Sequence, residues 1–224
     1  MNYEIRYSSR RKTLGIVVER DGRVVVTAPE GIAATRIAAI VEQKRTWIEE
    51  KQKDARKYPE QPKKKEFVTG ETLLYLGHPC PLVISKINFP GVAFRDGTFS
   101  ISCHSQAKAY DLLKEWYKNR AWAVIDPLAR EYATSLGVTY SECCIKEMHY
   151  RWASCTPKGN LCFNWRAIKA PINVIHYLVV HELAHLIEPN HTPKFWNIVA
   201  VQLPQYAQAK DWLAKNGNEI EIDF

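Results

Sequence analysis

Residues 172–191 read Ile172-Asn173-Val174-Ile175-His176-Tyr177-Leu178-Val179-Val180-His181-Glu182-Leu183-Ala184-His185-Leu186-Ile187-Glu188-Pro189-Asn190-His191. The first half is too apolar for a surface helix, so the pattern predicts a buried helix over about Ile172–Ile187. Within it, His181 and His185 stand at i and i+4 on one helical face, where both imidazoles can address one ion. Glu182 is one residue along and displaced round the helix, placed to take a proton from water rather than to ligate. Burying two histidines and a glutamate here is costly unless a partner satisfies them, and a metal ion does so. Neutral imidazole suits zinc, and a catalytic site uses three protein ligands with a further position left open.

The third ligand is sought downstream. Pro189 disfavours a helical Glu188, so the helix is expected to end near there. Thr192-Pro193 has the form of an N-cap followed by proline at the first helical position, and it opens the next helix. His191 lies in the turn between them and can fold back onto the ion. Glu188 is the rival, since residues 181, 185 and 188 share a helical face. The spacing His181–His191 matches the metzincin pattern H-E-x-x-H-x-x-G-x-x-H, but Glu188 replaces its glycine and no methionine follows Met148 to form a Met-turn.

Working outward, strands are expected around Ile145–His149 and Leu161–Trp165, with Pro157 and Gly159 making the connection turn. Upstream, an amphipathic helix is expected from about Gln106 to Leu136, carrying Leu112, Leu113, Trp116, Val124 and Leu128. Pro127 should kink it and Gly137 should cap it. Downstream, Pro193–Val201 and Gln205–Asn216 read as helices. Residues 67–103 read as β-rich, punctuated by Gly70, Gly77 and Asp96-Gly97. At the N-terminus, residues 3–7 and 14–28 read as strands with a turn at Asp21-Gly22, followed by one helix over Ala33–Lys57 and a linker over Tyr58–Lys65. The class is α+β. A basic, β-rich N-terminal region with one helix (residues 1–104) precedes a zincin-like region (residues 105–224) with a strand pair and the H-E-x-x-H helix. The two regions together would also make one domain.

The net charge of +7 is lopsided: residues 1–65 hold 16 Lys+Arg against 9 Asp+Glu, and the remainder holds 15 of each. Arg6, Arg10, Arg11, Lys12 and Lys63-Lys64-Lys65 form this basic excess. It serves either as a solvated surface or as an attractor for an anionic partner such as a nucleotide, a nucleic acid or an acidic polypeptide. None of the six cysteines forms a C-x-x-C pair, so thiolate zinc binding is disfavoured and free thiols in a reducing compartment are expected. No apolar run is long enough to span a bilayer, and the first residues lack a signal-peptide core. The expectation is a cytoplasmic protein with no membrane association.

Arg151-Trp152-Ala153-Ser154-Cys155, Lys158-Gly159-Asn160, Phe163-Asn164-Trp165-Arg166, Val180 to Leu186, Asn190-His191 and Phe195-Trp196 together resemble the YgjP-like metallopeptidase family, whose members are similar to SprT-like zinc proteases. These motifs cover about residues 145–200, and Ala153 stands where the family usually has glycine. The resemblance implies His181, His185 and His191 as ligands of one zinc ion and Glu182 as catalytic acid/base; other divalent ions also suit three histidines. Arg151 and Arg166 would flank the metal helix on the strand pair. They are candidates either for substrate-oxyanion contacts or for structural ion pairs. Cys155 is expected to be a packing residue, His176 to be packed or hydrogen-bonded, and Trp47, Trp116 and Trp122 to be core. His78 and His104 lack metal spacing, and His149, close in sequence to the Arg151 block, is weighed as a substrate contact and disfavoured.

Three activities remain open on this reading. Peptide hydrolysis is favoured by the motif and the resemblance. Hydrolysis of a nucleoside triphosphate phosphoanhydride would draw on the basic N-terminal region, although the chain has no G-x-x-x-x-G-K-[ST] loop. A non-catalytic, zinc-containing nucleic-acid-binding module is disfavoured by the intact Glu182.

Overall fold

The computed structural model describes residues 1–9, 11–18, 22–56, 65–148 and 151–221. Arg10, Asp21, the Lys63-Lys64 pair and His149, named above, lie outside them, as does most of the expected linker. The chain divides into two compact units, Met1–Lys63 and Lys64–Phe224.

In the first unit, β1 (Glu4–Ser8), β2 (Gly15–Val18) and β3 (Val24–Pro29) form a sheet in the order β1-β3-β2. β2 and β3 pair as an antiparallel hairpin, and β1 lies parallel to β3. The two-residue period of β3 turns Val24, Val26 and Ala28 onto Ile37, Val41 and Ile48. The single helix expected over Ala33–Lys57 is two, α1 (Ala34–Gln43) and α2 (Arg45–Arg56). Lys44 breaks the ladder at φ −97°, its N–H shared between the Ile40 and Val41 carbonyls. Trp47 is 40% exposed, not core, because its neighbour Ile48 occupies the inward position of α2.

The second unit opens with β4 (Thr72–Tyr75), β5 (His78–Ser85), β6 (Val92–Arg95) and β7 (Thr98–Ser102), in the order β4-β5-β7-β6. These strands share a core with α3 (Ala109–Leu136). Phe99 meets Trp116 and Tyr117 at ring-centroid distances of 4.8 and 5.8 Å, and the Tyr117 hydroxyl donates to the Leu74 carbonyl at 2.6 Å. The division at residues 63 and 64, rather than at 104 and 105, follows from this packing: residues 66–104 bury their apolar faces against α3.

α3 runs unbroken through Pro127 and ends on Gly137 in the left-handed conformation. Its buried positions, Ala109, Leu113, Tyr117, Ala121, Ile125, Ala129 and Ala133, recur every fourth residue. Four residues overshoot a 3.6-residue turn, so this stripe winds round the helix. α3 therefore faces the sheet near its start and α4 (Ile172–Ala184) near its end, where the Tyr132 hydroxyl meets His176 Nδ1 at 2.8 Å. Trp122 falls beside the stripe and is 43% exposed, against expectation.

A third sheet holds β8 (Glu142–Lys146), β9 (Ala153–Cys155) and β10 (Asn160–Asn164) in the order β8-β10-β9, with β8 parallel and β9 antiparallel to β10. The expected strand pair is thus three strands, with β9 at one edge. A 3-10 turn, Trp165–Lys169, leads to α4, and α5 (Pro193–Gln202) and α6 (Tyr206–Glu221) complete the chain.

The start of α4 is clamped from outside. The β4–β5 hairpin turns on Leu76 and Gly77, at φ +50° and +80°, and their N–H groups donate to the Ile168 and Lys169 carbonyls at 2.9 and 2.8 Å. Holding a leucine there costs about 1–3 kcal/mol. A Cβ on Gly77 would stand 2.7 Å from Pro171 Cγ, at the N-cap of α4.

Candidate metal centre

α4 is buried almost all round, through Val174, Ile175, Tyr177, Leu178, Val179, Val180, Leu183 and Ala184. It stops at Ala184, with His185 as C-cap, three residues before the predicted end. The Leu186, Ile187 and Glu188 N–H groups then bond back to Leu183 and Ala184 carbonyls. Thr192 caps α5 by accepting the Phe195 N–H at 3.4 Å, with Pro193 at the first helical position. This helix–turn–helix folds His191 back over α4.

The three imidazoles form a near-equilateral cluster, with ring centroids 5.0 Å (181–185), 4.9 Å (181–191) and 4.8 Å (185–191) apart. Their candidate donor atoms all lie within 4.8 Å of one another, the only such group among the described residues. Phe195, fully buried, touches all three rings at 4.6–4.9 Å and underlies the cluster. The Trp196 ring stacks on His191 at 5.6 Å. The rival Glu188 is turned elsewhere: its carboxylate accepts the Asn190 N–H, and its backbone carbonyl meets His185 Nδ1 at 3.3 Å. With Nδ1–H of His185 donating to that carbonyl, its Nε2 keeps a free lone pair.

The donor set fits a divalent ion. His181 is held neutral, its pKa pulled down to about 3 by burial and then by His185, His191 and Lys210. Burial lowers His191 as well, with His185 and Lys210 adding to it. His181 Nε2 faces His191 Nε2 at 3.0 Å, while its buried Nδ1 has no hydrogen-bond partner. Two neutral imidazole nitrogens aimed at each other either share one proton or leave two lone pairs opposed, and a cation between them resolves that conflict.

Glu182 is only 6% exposed and lies against β9. Its carboxylate accepts the backbone N–H of Cys155, and the Arg151 charge bears on it, but burial dominates and raises its pKa to about 7. A carboxylate poised there can both take and return a proton near neutrality. Tyr177, against His181 at 5.6 Å, is pushed up to about 12 by burial and by the Glu182 charge.

The sequence model of the YgjP-like metallopeptidase domain matches residues 12–216. The chain belongs to this family. A search of the curated proteins finds no match. Among solved structures, the zymogen of abylysin from Pyrococcus abyssi is 20% identical, with a TM-score of 0.38 over 41% of this chain and 93% of that one. The zymogen of jannalysin from Methanocaldococcus jannaschii is 23% identical, with a TM-score of 0.38 over 41% and 95%. Both of those proteins are metallopeptidases.

In this YgjP-like chain the two flanking arginines part company. Arg151 precedes β9, is exposed, and acts on Glu182. Arg166 does not lie on a strand; it sits in the 3-10 turn after β10, buried, donating to Glu147 at 2.9 Å with its guanidinium 4.5 Å over the Trp165 ring. Its charge is engaged in a structural pair that Lys114 shares at 2.8 Å. Cys155 contributes its backbone to the site and packs its side chain at the core edge. His176 is bonded to Tyr132, as expected of a packed histidine.

Three neighbours of the cluster were not assigned roles from sequence: Phe195, Trp196 and Lys210. The first two follow directly on the Thr192-Pro193 cap, which fixes them one turn above His191. Lys210, on α6, lies 4.3 Å over the Trp196 ring and has no carboxylate partner among the described residues. No local pattern ties it to the histidines.

Proposed function

We propose that this chain is a zinc-dependent metallopeptidase in which His181, His185 and His191 hold one ion and Glu182 is the general base. The observation that carries this reading is the convergence of three imidazoles together with a buried carboxylate on α4. A divalent ion so held supplies Lewis acidity toward a carbonyl oxygen and acidifies water. Glu182 takes the proton from the attacking water at its carboxylate and returns it to the leaving nitrogen. The Cys155 N–H fixes that carboxylate's orientation, and Phe195 excludes water beneath the rings. Arg151 supplies positive charge on the β9 side. Other divalent ions suit the same donors. Six free cysteines fit a reducing, cytoplasmic setting, and no helix of the described residues is long and apolar enough to cross a membrane.

A second reading rests on a separate observation. Lys210 acts on His181 and His191, and Arg151 acts on Glu182, so positive charge bears on the site from two residues, which favours an anionic substrate. A nucleoside triphosphate cleaved at a phosphoanhydride is such a substrate, and the basic residues of 1–65 would add to its attraction. The deciding experiment is mass spectrometry of products from zinc-loaded wild type and Glu182→Gln, each given unfolded polypeptides and nucleoside triphosphates. Peptide fragments made only by the wild type support the peptidase. Nucleoside mono- or diphosphate made only by the wild type replaces it with the second reading. Neither product, with zinc confirmed bound, overturns both.

A further inference from the structure

Away from the histidine cluster, β8 and β10 bring two thiols together. The strands run parallel with Cys144 and Cys162 as direct register partners, and their Sγ atoms lie 2.7 Å apart. Because side chains alternate along a strand, both point to the face opposite Cys143, Leu161 and Phe163, which enter the core. Cys144 is half-buried and Cys162 is 8% exposed, so the pair is reached from the Cys144 side. Lys146, two residues along that same face of β8, bonds the Cys144 sulfur and its charge bears on Cys162.

Neighbouring strands stand about 4.8 Å apart, inside the span of about 4.4–6.8 Å between Cα atoms that a disulfide accepts. The two sulfurs also converge, to 2.7 Å. We infer that Cys144 and Cys162 form a reversible dithiol–disulfide site that exchanges with small-molecule disulfides of the glutathione class. Cys144, the more accessible and the one beside Lys146, gives its proton to solvent. Its sulfur attacks the small disulfide, forming a mixed disulfide and releasing one small thiolate. The Cys162 sulfur, giving up its own proton, then attacks the Cys144 sulfur. The internal S–S bond forms and the second small thiol leaves. Two protein thiols are oxidised by two electrons, and one small disulfide is reduced to two thiols.

Burial pushes the Cys144 thiol up to about 11, so the exchange is slow at neutral pH and quickens as pH rises. The bridge would tie β8 to the strand that pairs β9, with Ser154 opposite Cys162 and Cys155 next to it. No metal-ligating side chain takes part.

The test treats the full chain with oxidised glutathione at about pH 8.5, near the ordinary thiol pKa, followed by alkylation and peptide mapping. The expected result is protection of two thiols, a cross-linked peptide assigned by fragmentation to Cys144 and Cys162, and reversal by a dithiol reductant. The cross-link should survive Cys143→Ser and be lost in Cys144→Ser, while Cys162→Ser should stop at a glutathione adduct on Cys144. Both thiols remaining alkylatable, or a bridge mapping to Cys143 or Cys155 in the wild type, would overturn the inference. Zinc content measured alongside should be the same in reduced and oxidised protein.

Discussion

The carboxylate of Glu182 accepts the backbone N–H of Cys155, so the proposed base on α4 is oriented by the edge strand β9. The proposed ligands and the proposed base therefore answer to different parts of the fold. Substitution of the base should separate them. Glu182→Gln is expected to lower hydrolysis by about 10²–10⁴-fold while leaving zinc stoichiometry, measured by elemental analysis, at the wild-type value. Loss of zinc together with activity would remove Glu182 from the role of base.

His191 closes the cluster from the turn, whereas Glu188 is occupied with the Asn190 N–H and, through its carbonyl, with His185. His191→Ala should weaken zinc binding by at least about 100-fold, and Glu188→Ala by about 10-fold or less, since it disturbs only the support of a ligand. Competition with a chromophoric chelator reads both. The reverse ranking would make Glu188 the third ligand.

Glu147 lies between Lys114 and Arg166, and their hydrogen bonds hold its carboxyl at about 2. A depressed carboxyl pKa means that the native state binds fewer protons than the unfolded chain. Its stabilisation is complete above the unfolded value of about 4.3 and is lost as pH falls toward about 2. Glu147 is about a third exposed, so solvent screens the pair and the effect is modest. The wild type should melt a few degrees above Glu147→Gln at neutral pH, with the gap closing between about pH 4 and pH 2. A gap that does not change with pH would mean that packing, not charge, is responsible.

Gly77 sits at φ +80° with Pro171 where a Cβ would go. Gly77→Ala is expected to cost about 2 kcal/mol or more, from backbone strain and from displacement of the N-cap of α4. Urea unfolding measures it. A cost under about 0.5 kcal/mol would show that the hairpin tip yields without disturbing α4.

Much of the site could be read locally because its signals are local. The i,i+4 histidines share a face by helix geometry, and Thr192-Pro193 marks where a helix restarts, which leaves His191 in a short turn. Gly137 and Asp96-Gly97 likewise carry their backbone conformations in their residue types. What escaped depends on distant partners. β9 has three residues, too few for an alternating pattern, and exists because β10 lies beside it. Trp47 and Trp122 have the right composition for a core but stand one residue off the inward positions. The β4–β7 strands bury their aromatics on α3, a pairing that no window of sequence displays. Lys210 reaches the cluster only through the packing of α6.

The three imidazoles and the ring beneath them come from one short run, His181 to Phe195, whereas the contact from Glu182 to Cys155 closes a longer loop across a turn and a strand. Closing a short loop costs less chain entropy, and such contacts form early in folding. If the three histidines hold an ion as proposed, its seat closes within a shorter stretch of chain than the contact that orients Glu182.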